Sequence, residues 1–97
     1  MSNQQQLWAV INLEGKSESG NGITSERTSS GTYLLQFGNL FLSDPAVTAT
    51  AIFEHNSNLT CITKSLATTH ATLQIVDRNG TPIDARFSVV VTGTPKQ

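Results

Sequence analysis

Short runs of apolar and polar residues alternate along this chain, and none keeps the period of an α-helix. β-Branched and aromatic residues fill the runs, while Gly, Asn, Asp, Ser and Pro separate them, which is typical of strands joined by turns. An edge strand is predicted at 23–28, and the polar, glycine-rich stretch 15–22 is predicted to be a loop. The other predicted strands are 7–13, 31–37, 46–53, 59–64, 71–76 and 87–92.

Alternation within each strand assigns its side chains to two faces. The side chains expected to face the core are Tyr33, Leu35, Phe37, Val47, Ala49, Ala51, Phe53, Ala71, Leu73 and Ile75. The first and last strands, 7–13 and 87–92, are instead apolar on both faces over most of their length. We expect such a strand to lie in the centre of a sheet, or to contact another subunit through its second face.

The spacing of strands and turns predicts an all-β fold, namely a single antiparallel β-sandwich or jelly-roll-like domain of six to eight short strands. The strongest turn signal is the segment 77–80, whose Asn-Gly pair tolerates the positive φ of a tight turn. We expect a flexible N-terminus at 1–6, the sandwich domain at 7–93 and a C-terminal tail at 94–97.

Charged residues are scarce, at 13% of the 97 residues against about 25% in an ordinary domain. The formal net charge of -1 leaves no basic excess for nucleic acid, and 37% hydrophobic residues is too many for a disordered chain. No apolar run approaches the ~20 residues of a membrane helix, and the start of the chain does not resemble a secretory signal. We therefore expect a cytoplasmic location by default, without membrane or nucleic-acid partners; export without a signal and association with a particle stay open.

Residues able to carry chemistry are few. His55, His70 and Cys61 do not have the spacing of a zinc motif, so we expect loop histidines and an inert thiol. No nucleophile elbow, phosphate-binding loop or dinucleotide fingerprint is present in the sequence. The sequence therefore predicts no catalytic residue, no metal and no cofactor, although a composite site between subunits could escape inspection.

One charged loop is the candidate for ligand binding. It comprises Asp77, Arg78, Asn79, Asp84 and Arg86. Two carboxylates near a loop could contact Ca²⁺, but a calcium site needs six or more oxygen ligands and few acidic residues are nearby. A structural role is favoured, in which Asp77 caps the turn and Asp84 pairs with Arg86 or Arg78.

Several short motifs together suggest a family. They are Trp8-Ala9-Val10-Ile11-Asn12, Gly31-Thr32-Tyr33-Leu34-Leu35-Gln36-Phe37, Pro45-Ala46-Val47-Thr48-Ala49-Thr50, Asp77-Arg78-Asn79-Gly80, Asp84 and Phe87-Ser88-Val89-Val90-Val91. Over residues 7–93 the chain resembles small bacterial β-sandwich domains of mostly unassigned function. A related pattern appears in C-terminal domains of phage tail fibres and in trimeric H-type-lectin-like domains. The resemblance implies a trimer or another homo-oligomer, and it supplies no ligand site. A disulfide common among such domains is absent here, because the chain has one cysteine.

Two functions from different classes are expected. The first is a non-enzymatic, homo-oligomeric structural or interaction module that pairs with itself, because a charge-poor surface suits contact between subunits. The second is a carbohydrate-binding module of H-type-lectin-like character, for which Trp8 and Tyr33 are the aromatic candidates. Both aromatic residues have apolar neighbours along their strands, so we expect them to lie in the core.

Overall fold

Eight strands and no helix form within residues 4–52 and 58–96, which are the residues that this computed structural model describes. The strands are β1 (Gln5–Ile11), β2 (Ser17–Asn21), β3 (Thr24–Ser29), β4 (Thr32–Gln36), β5 (Ala46–Ile52), β6 (Thr60–Leu66), β7 (His70–Val76) and β8 (Arg86–Gly93). The prediction of an all-β fold is confirmed.

The strands form two antiparallel sheets of four. Sheet A has the order β2-β1-β8-β5, and sheet B has the order β3-β4-β7-β6. Every ladder is antiparallel. Three of the ladders join consecutive strands, and the ladders β1–β8, β4–β7 and β5–β8 join strands that are distant in the sequence. The two sheets pack face to face as a sandwich, and their edges come closest where β5 contacts β6.

The core lies between the sheets and contains no buried polar or charged residue within the described part of the chain. The rings of Tyr33 and Phe87, one from each sheet, pack with centroids 5.0 Å apart. Predicted core positions in β4 and β7 are buried as expected, and those in β5 are partly buried at its edge. The prediction for Phe53 lies outside the described residues. The buried side chains are Leu7, Ala9, Ile11, Ile23, Tyr33, Leu35, Phe37, Phe41, Ala71, Leu73, Ile75, Val76, Ala85, Phe87, Val89 and Val91.

Three boundaries differ from the sequence prediction. The stretch 15–22 is not simply a loop, because β2 occupies Ser17–Asn21 as a fully exposed edge strand without an apolar residue to signal it. Strand β1 begins at Gln5 and ends at Ile11, so residues 5 and 6 belong to the sheet and Leu13 does not. At the other terminus Leu42 donates its N–H to the Thr94 carbonyl (2.9 Å), which ties the expected tail to the 40–42 segment.

The antiparallel order gives the sandwich two chemically different ends. At the charged end lie the loops 12–16, 30–31 and 77–85, and at the aromatic end lie 22–23, 37–45, 67–69 and 94–96. The charged end carries Glu14, Lys16, Glu18, Arg27, Asp77, Arg78, Asp84 and Arg86. The aromatic end carries Phe37 and Phe41, whose rings pack edge to face at 5.9 Å.

Candidate functional site

Two copies of one five-residue turn shape the charged end. In 12–16 the side-chain oxygen of Asn12 accepts the N–H groups of Glu14 (3.0 Å) and Lys16 (2.9 Å). In 77–81 the Asp77 carboxylate accepts the N–H groups of residues 79 (2.9 Å) and 81 (3.0 Å) in the same way. The fourth residue of each turn is a glycine with positive φ, 93° at position 15 and 82° at position 80, as the turn requires.

The predicted cap at Asp77 is therefore present, and its carboxylate is occupied by the backbone of its own turn. The turn at Asn12 was not predicted, although the two segments share the pattern Asn/Asp-x-x-Gly. That pattern was the signal that could have identified it. The neighbouring Leu13 carbonyl accepts a hydrogen bond from the buried Tyr33 hydroxyl (2.8 Å), so this turn also satisfies the one polar atom of that core ring.

Asp84 joins three segments at the charged end. Its two oxygens each accept from the Arg27 guanidinium at 3.0 Å, and one of them also accepts the Gly31 N–H at 2.7 Å. The hydrogen bond from Arg27 and then that from Gly31 hold the pKa of Asp84 below its ordinary value. The same contact raises the pKa of Arg27 and keeps the guanidinium charged. Asp84 thus ties the segment before β8 to β3 and to the β3–β4 turn.

The expected pairing of Asp84 with Arg86 or Arg78 is wrong. Arg27 lies 57 residues from Asp84 in the sequence, and only the pairing of β3 with β4 brings it to this loop. Arg86 instead contacts Glu18 on β2, with Nε and Oε1 2.6 Å apart. Of the five predicted ligand residues, Asp77, Asp84 and Arg86 are therefore engaged within the fold, while Arg78 and Asn79 lie exposed on the turn.

An open depression of about 460 Å³ lies beside this cluster, lined by Leu13, Glu14, Lys16, Arg27 and Asp84. Its two carboxylates and two cations give it mixed charge, and its best-placed carboxylate is already neutralised by Arg27. No group of three or more His, Cys, Asp or Glu residues that could hold a metal ion occurs in 4–52 and 58–96. The arrangement is that of a structural ion pair beside a surface depression.

The remaining candidate chemistry is dispersed. Cys61 pairs with Ile75 at one end of sheet B, whereas His70 begins β7 at the other, about 16 Å away at the rise of a strand. Burial raises the pKa of the Cys61 thiol, opposed by a hydrogen bond from the Ala51 backbone, so the neutral thiol is favoured. His70 lies beside Thr69, with Nδ1 and Oγ1 3.0 Å apart, and His55 lies outside the described residues.

The outer face of sheet A carries Trp8, which the sequence led us to expect in the core. Leu7, Ala9 and Ile11 point into the core, so the alternate residues of β1 point outward. Trp8 is 45% exposed there, and the expectation that it lies in the core is wrong; Tyr33 is buried as expected. Both sides of β1 carry apolar residues, as the sequence shows, so alternation could not show which side is covered, and only the sheet packing decided it.

Three rows of facing residues cross this outer face. In each row the residues are direct cross-strand partners, and none of them is charged. Trp8 faces Val90, which is 37% exposed, in the middle row. Glu18 and Arg86 lie beyond the rows, toward the charged end. The rows are Gln6–Thr92–Ala46, Asn21–Trp8–Val90–Thr48 and Ser19–Val10–Ser88–Thr50.

Comparison with known proteins adds no relative. No protein-family model matches this chain, and neither a curated protein nor a solved structure matches it. No helix long and apolar enough to cross a membrane is present in the described residues. The resemblance to small bacterial sandwich domains and to tail-fibre or lectin-like domains stays a prediction.

Proposed function

We propose that this domain is a non-enzymatic, homo-oligomeric structural or interaction module whose subunits meet through the outer face of sheet A. The observation that carries the proposal is the set of three uncharged rows centred on Trp8 and Val90. The proposed assembly has three copies, the number that the resemblance to trimeric domains implies.

The composition of the face supports this function. Cores of protein interfaces are poor in charge and rich in aromatic residues, and Trp is enriched among the residues that contribute most of the binding energy. The outer face of sheet B is less suitable, because Glu26 faces Leu34 in its middle and His70 faces Gln36 at one end. The low charge content of the sequence therefore leaves one uncharged patch, which lies on the outer face of sheet A.

The experiment is sedimentation equilibrium of the purified chain and of Val90→Lys, which places a cation in the middle row beside Trp8. We expect the wild type to sediment above its monomer mass of 10.4 kDa and the variant to form smaller species. Thr72→Lys on the outer face of sheet B is the matched control, and its mass should equal that of the wild type. A monomeric wild type at micromolar concentration would refute the proposal.

A carbohydrate-binding module is the second candidate, because the exposed Trp8 offers an aromatic platform for a sugar ring. Its row neighbours Asn21 and Thr48 supply amide and hydroxyl groups of the kind that bond to sugar hydroxyls. The charged loop at 77–86 contributes little to this reading, because three of its five candidate residues are engaged within the fold.

Tryptophan fluorescence separates the two candidates, since the chain has one Trp. Titration with a panel of neutral mono- and oligosaccharides should change the Trp8 signal if a sugar stacks on the ring, and should leave it unchanged if the face contacts subunits. A glycan array probed with the wild type and with folded Trp8→Ala checks the same point. Binding that survives in Trp8→Ala would refute a platform at this residue.

A further inference from the structure

The four edge strands of the sandwich are not equally protected against pairing with another chain. In sheet A the edges are β2 and β5, and in sheet B they are β3 and β6. Proteins protect exposed edges with bulges, charges and Pro, because a regular, neutral edge presents free backbone groups to any incoming strand.

Three of these edges carry both a bulge and a charged residue. The ladder of β2 is irregular where Glu18 is inserted between two paired residues. The ladder of β3 shifts after Arg27, next to Glu26. In β6 the irregularity is at Lys64, so a lysine is the inserted residue. Each of these edges therefore combines a bulge with a charge at or near the same position.

The β5 edge has neither a bulge nor a charged residue. Its seven residues, Ala46–Ile52, pair with β8 in unbroken register, and none of them is charged. It contains no Gly and no Pro, since Pro45 precedes the strand. Its inward side chains are only partly buried, so an added strand would cover apolar atoms as well as backbone groups.

The direction of the β5 backbone groups follows from one contact. Asn12 donates its N–H to the Lys16 carbonyl on the β2 side, so the adjacent residue, Ile11, points its N–H to β8, and its partner Phe87 points back to β1. Ala51 faces Phe87 from the other side, so the Ala51 N–H points away from β8. Residues two apart in a strand direct their N–H groups to the same side. The N–H groups of Val47 and Ala49 therefore also point out of the sheet, while those of Thr48 and Thr50 point to β8.

We infer that the β5 edge pairs antiparallel with the β5 edge of a second copy of this chain. In the register centred on Thr48, Val47 of one copy faces Ala49 of the other, and both outward N–H groups find carbonyl partners. The two-fold axis brings no like charges together, because the strand has none. A second β5 is the suitable occupant, since it is as neutral and as regular as the edge it would cover.

This contact is distinct from the proposed contact through the outer face of sheet A. The edge contact alone gives a two-fold dimer, in which two copies of sheet A form one continuous sheet. Where its two-fold axis crosses the three-fold axis of the face contact at right angles, the two contacts together give a pair of trimers with dihedral symmetry. The two contacts can therefore be broken one at a time.

Amide hydrogen exchange on the wild type tests the edge without any substitution. Between micromolar and millimolar protein, we expect exchange at Val47 and Ala49 to slow by about tenfold or more, because pairing closes these groups to solvent. The amides of Thr48 and Thr50, which bond to β8, are the internal control and should be slow throughout. Exchange at Val47 and Ala49 that stays as fast at millimolar protein as that of unpaired amides would overturn the inference.

Ala49→Pro tests the same contact by mass. It removes an outward N–H while leaving the ladder to β8 intact, and edge strands accept Pro at such positions. Ala49→Ser keeps the N–H and is the matched control. We expect Ala49→Pro to halve the mass of the assembly by sedimentation equilibrium, and Ala49→Ser to leave it unchanged.

Failure of the edge contact and failure of the proposed function give different results. If Val90→Lys alone reduces the mass, the face contact stands and the edge contact is overturned. If Ala49→Pro alone reduces it, the edge contact stands and the face contact is refuted. A full reduction to monomer only in the double variant supports both contacts.

Discussion

The two ends of the sandwich are stabilised by different physical effects. At the charged end, Asn12 and Asp77 organise their turns by accepting backbone N–H groups, and Asp84 is held by Arg27 and Gly31. At the aromatic end, Phe37 and Phe41 pack edge to face and are almost completely buried. One end depends on charge-assisted hydrogen bonds near the surface, and the other depends on the burial of apolar area.

This difference explains how a chain with few charges uses them. Most of them lie at one end, where they fix loops to strands over long sequence separations, as between Arg27 and Asp84. The cross-strand rows on the outer face of sheet A are left without charge, and that is the surface on which the proposed function rests.

The largest expected effect is at the aromatic end. Phe37→Ala should lower the free energy of unfolding by about 3–5 kcal/mol, because it removes a buried ring and leaves a cavity. Leu42→Ala is the control at the same end, and because Leu42 is 61% exposed it should change stability by about 0.5 kcal/mol or less. Urea unfolding measures both variants. Equal, small losses would contradict the assignment of this end to burial.

A smaller and pH-dependent effect is expected at the charged end. Asp84→Asn should cost about 1–2 kcal/mol near neutral pH, a value reduced for partial exposure, because the amide loses the charge that binds Arg27. The pKa of Asp84 is depressed below its ordinary 3.8 in the folded state, so its contribution is complete above that value. The contribution is lost as the pH falls from about 3.8 through the depressed pKa.

The free energy of unfolding measured between pH 2 and 7 tests whether the Asp84 contribution is lost on acidification. The wild type should lose the Asp84 contribution at the acidic end of the range, and Asp84→Asn should lack that part of the pH dependence. Phe37→Ala should keep the wild-type pH dependence at lower stability. A profile unchanged by Asp84→Asn would show that this carboxylate does not hold the charged end together.

The smallest effect is expected for the exposed ion pair. Arg86→Gln should change the free energy of unfolding by about 0.5 kcal/mol or less, because solvent screens Arg86 and Glu18 despite their 2.6 Å contact. A double-mutant cycle with Glu18→Gln at low and high salt isolates the pair, and the coupling should vanish at high salt. A coupling energy above about 2 kcal/mol that persists at high salt would contradict this prediction, because it would show that Arg86 and Glu18 stabilise the fold as strongly as Arg27 and Asp84 do.

The sequence predicted the fold class and most of the core well. Alternation at Tyr33, Leu35 and Phe37 identified a buried face, and the Asn-Gly pair identified the turn at 77–80. It failed for β2, because an exposed polar edge strand has no apolar side to mark it. It also failed for the partner of Asp84, because local spacing cannot show that β3 brings Arg27 beside this loop.

The amino-acid sequence by itself determined that this chain forms short antiparallel strands and that its charges avoid the centres of β1, β4, β5, β7 and β8. Both follow from local physics, since alternation fixes which side chains share a face and turn residues fix where strands end. The tertiary structure alone decided which face of β1 is covered, and hence that Trp8 is exposed. It also decided which edge is left regular and neutral. Those properties depend on how strands distant in the sequence are ordered, and no local pattern encodes that order.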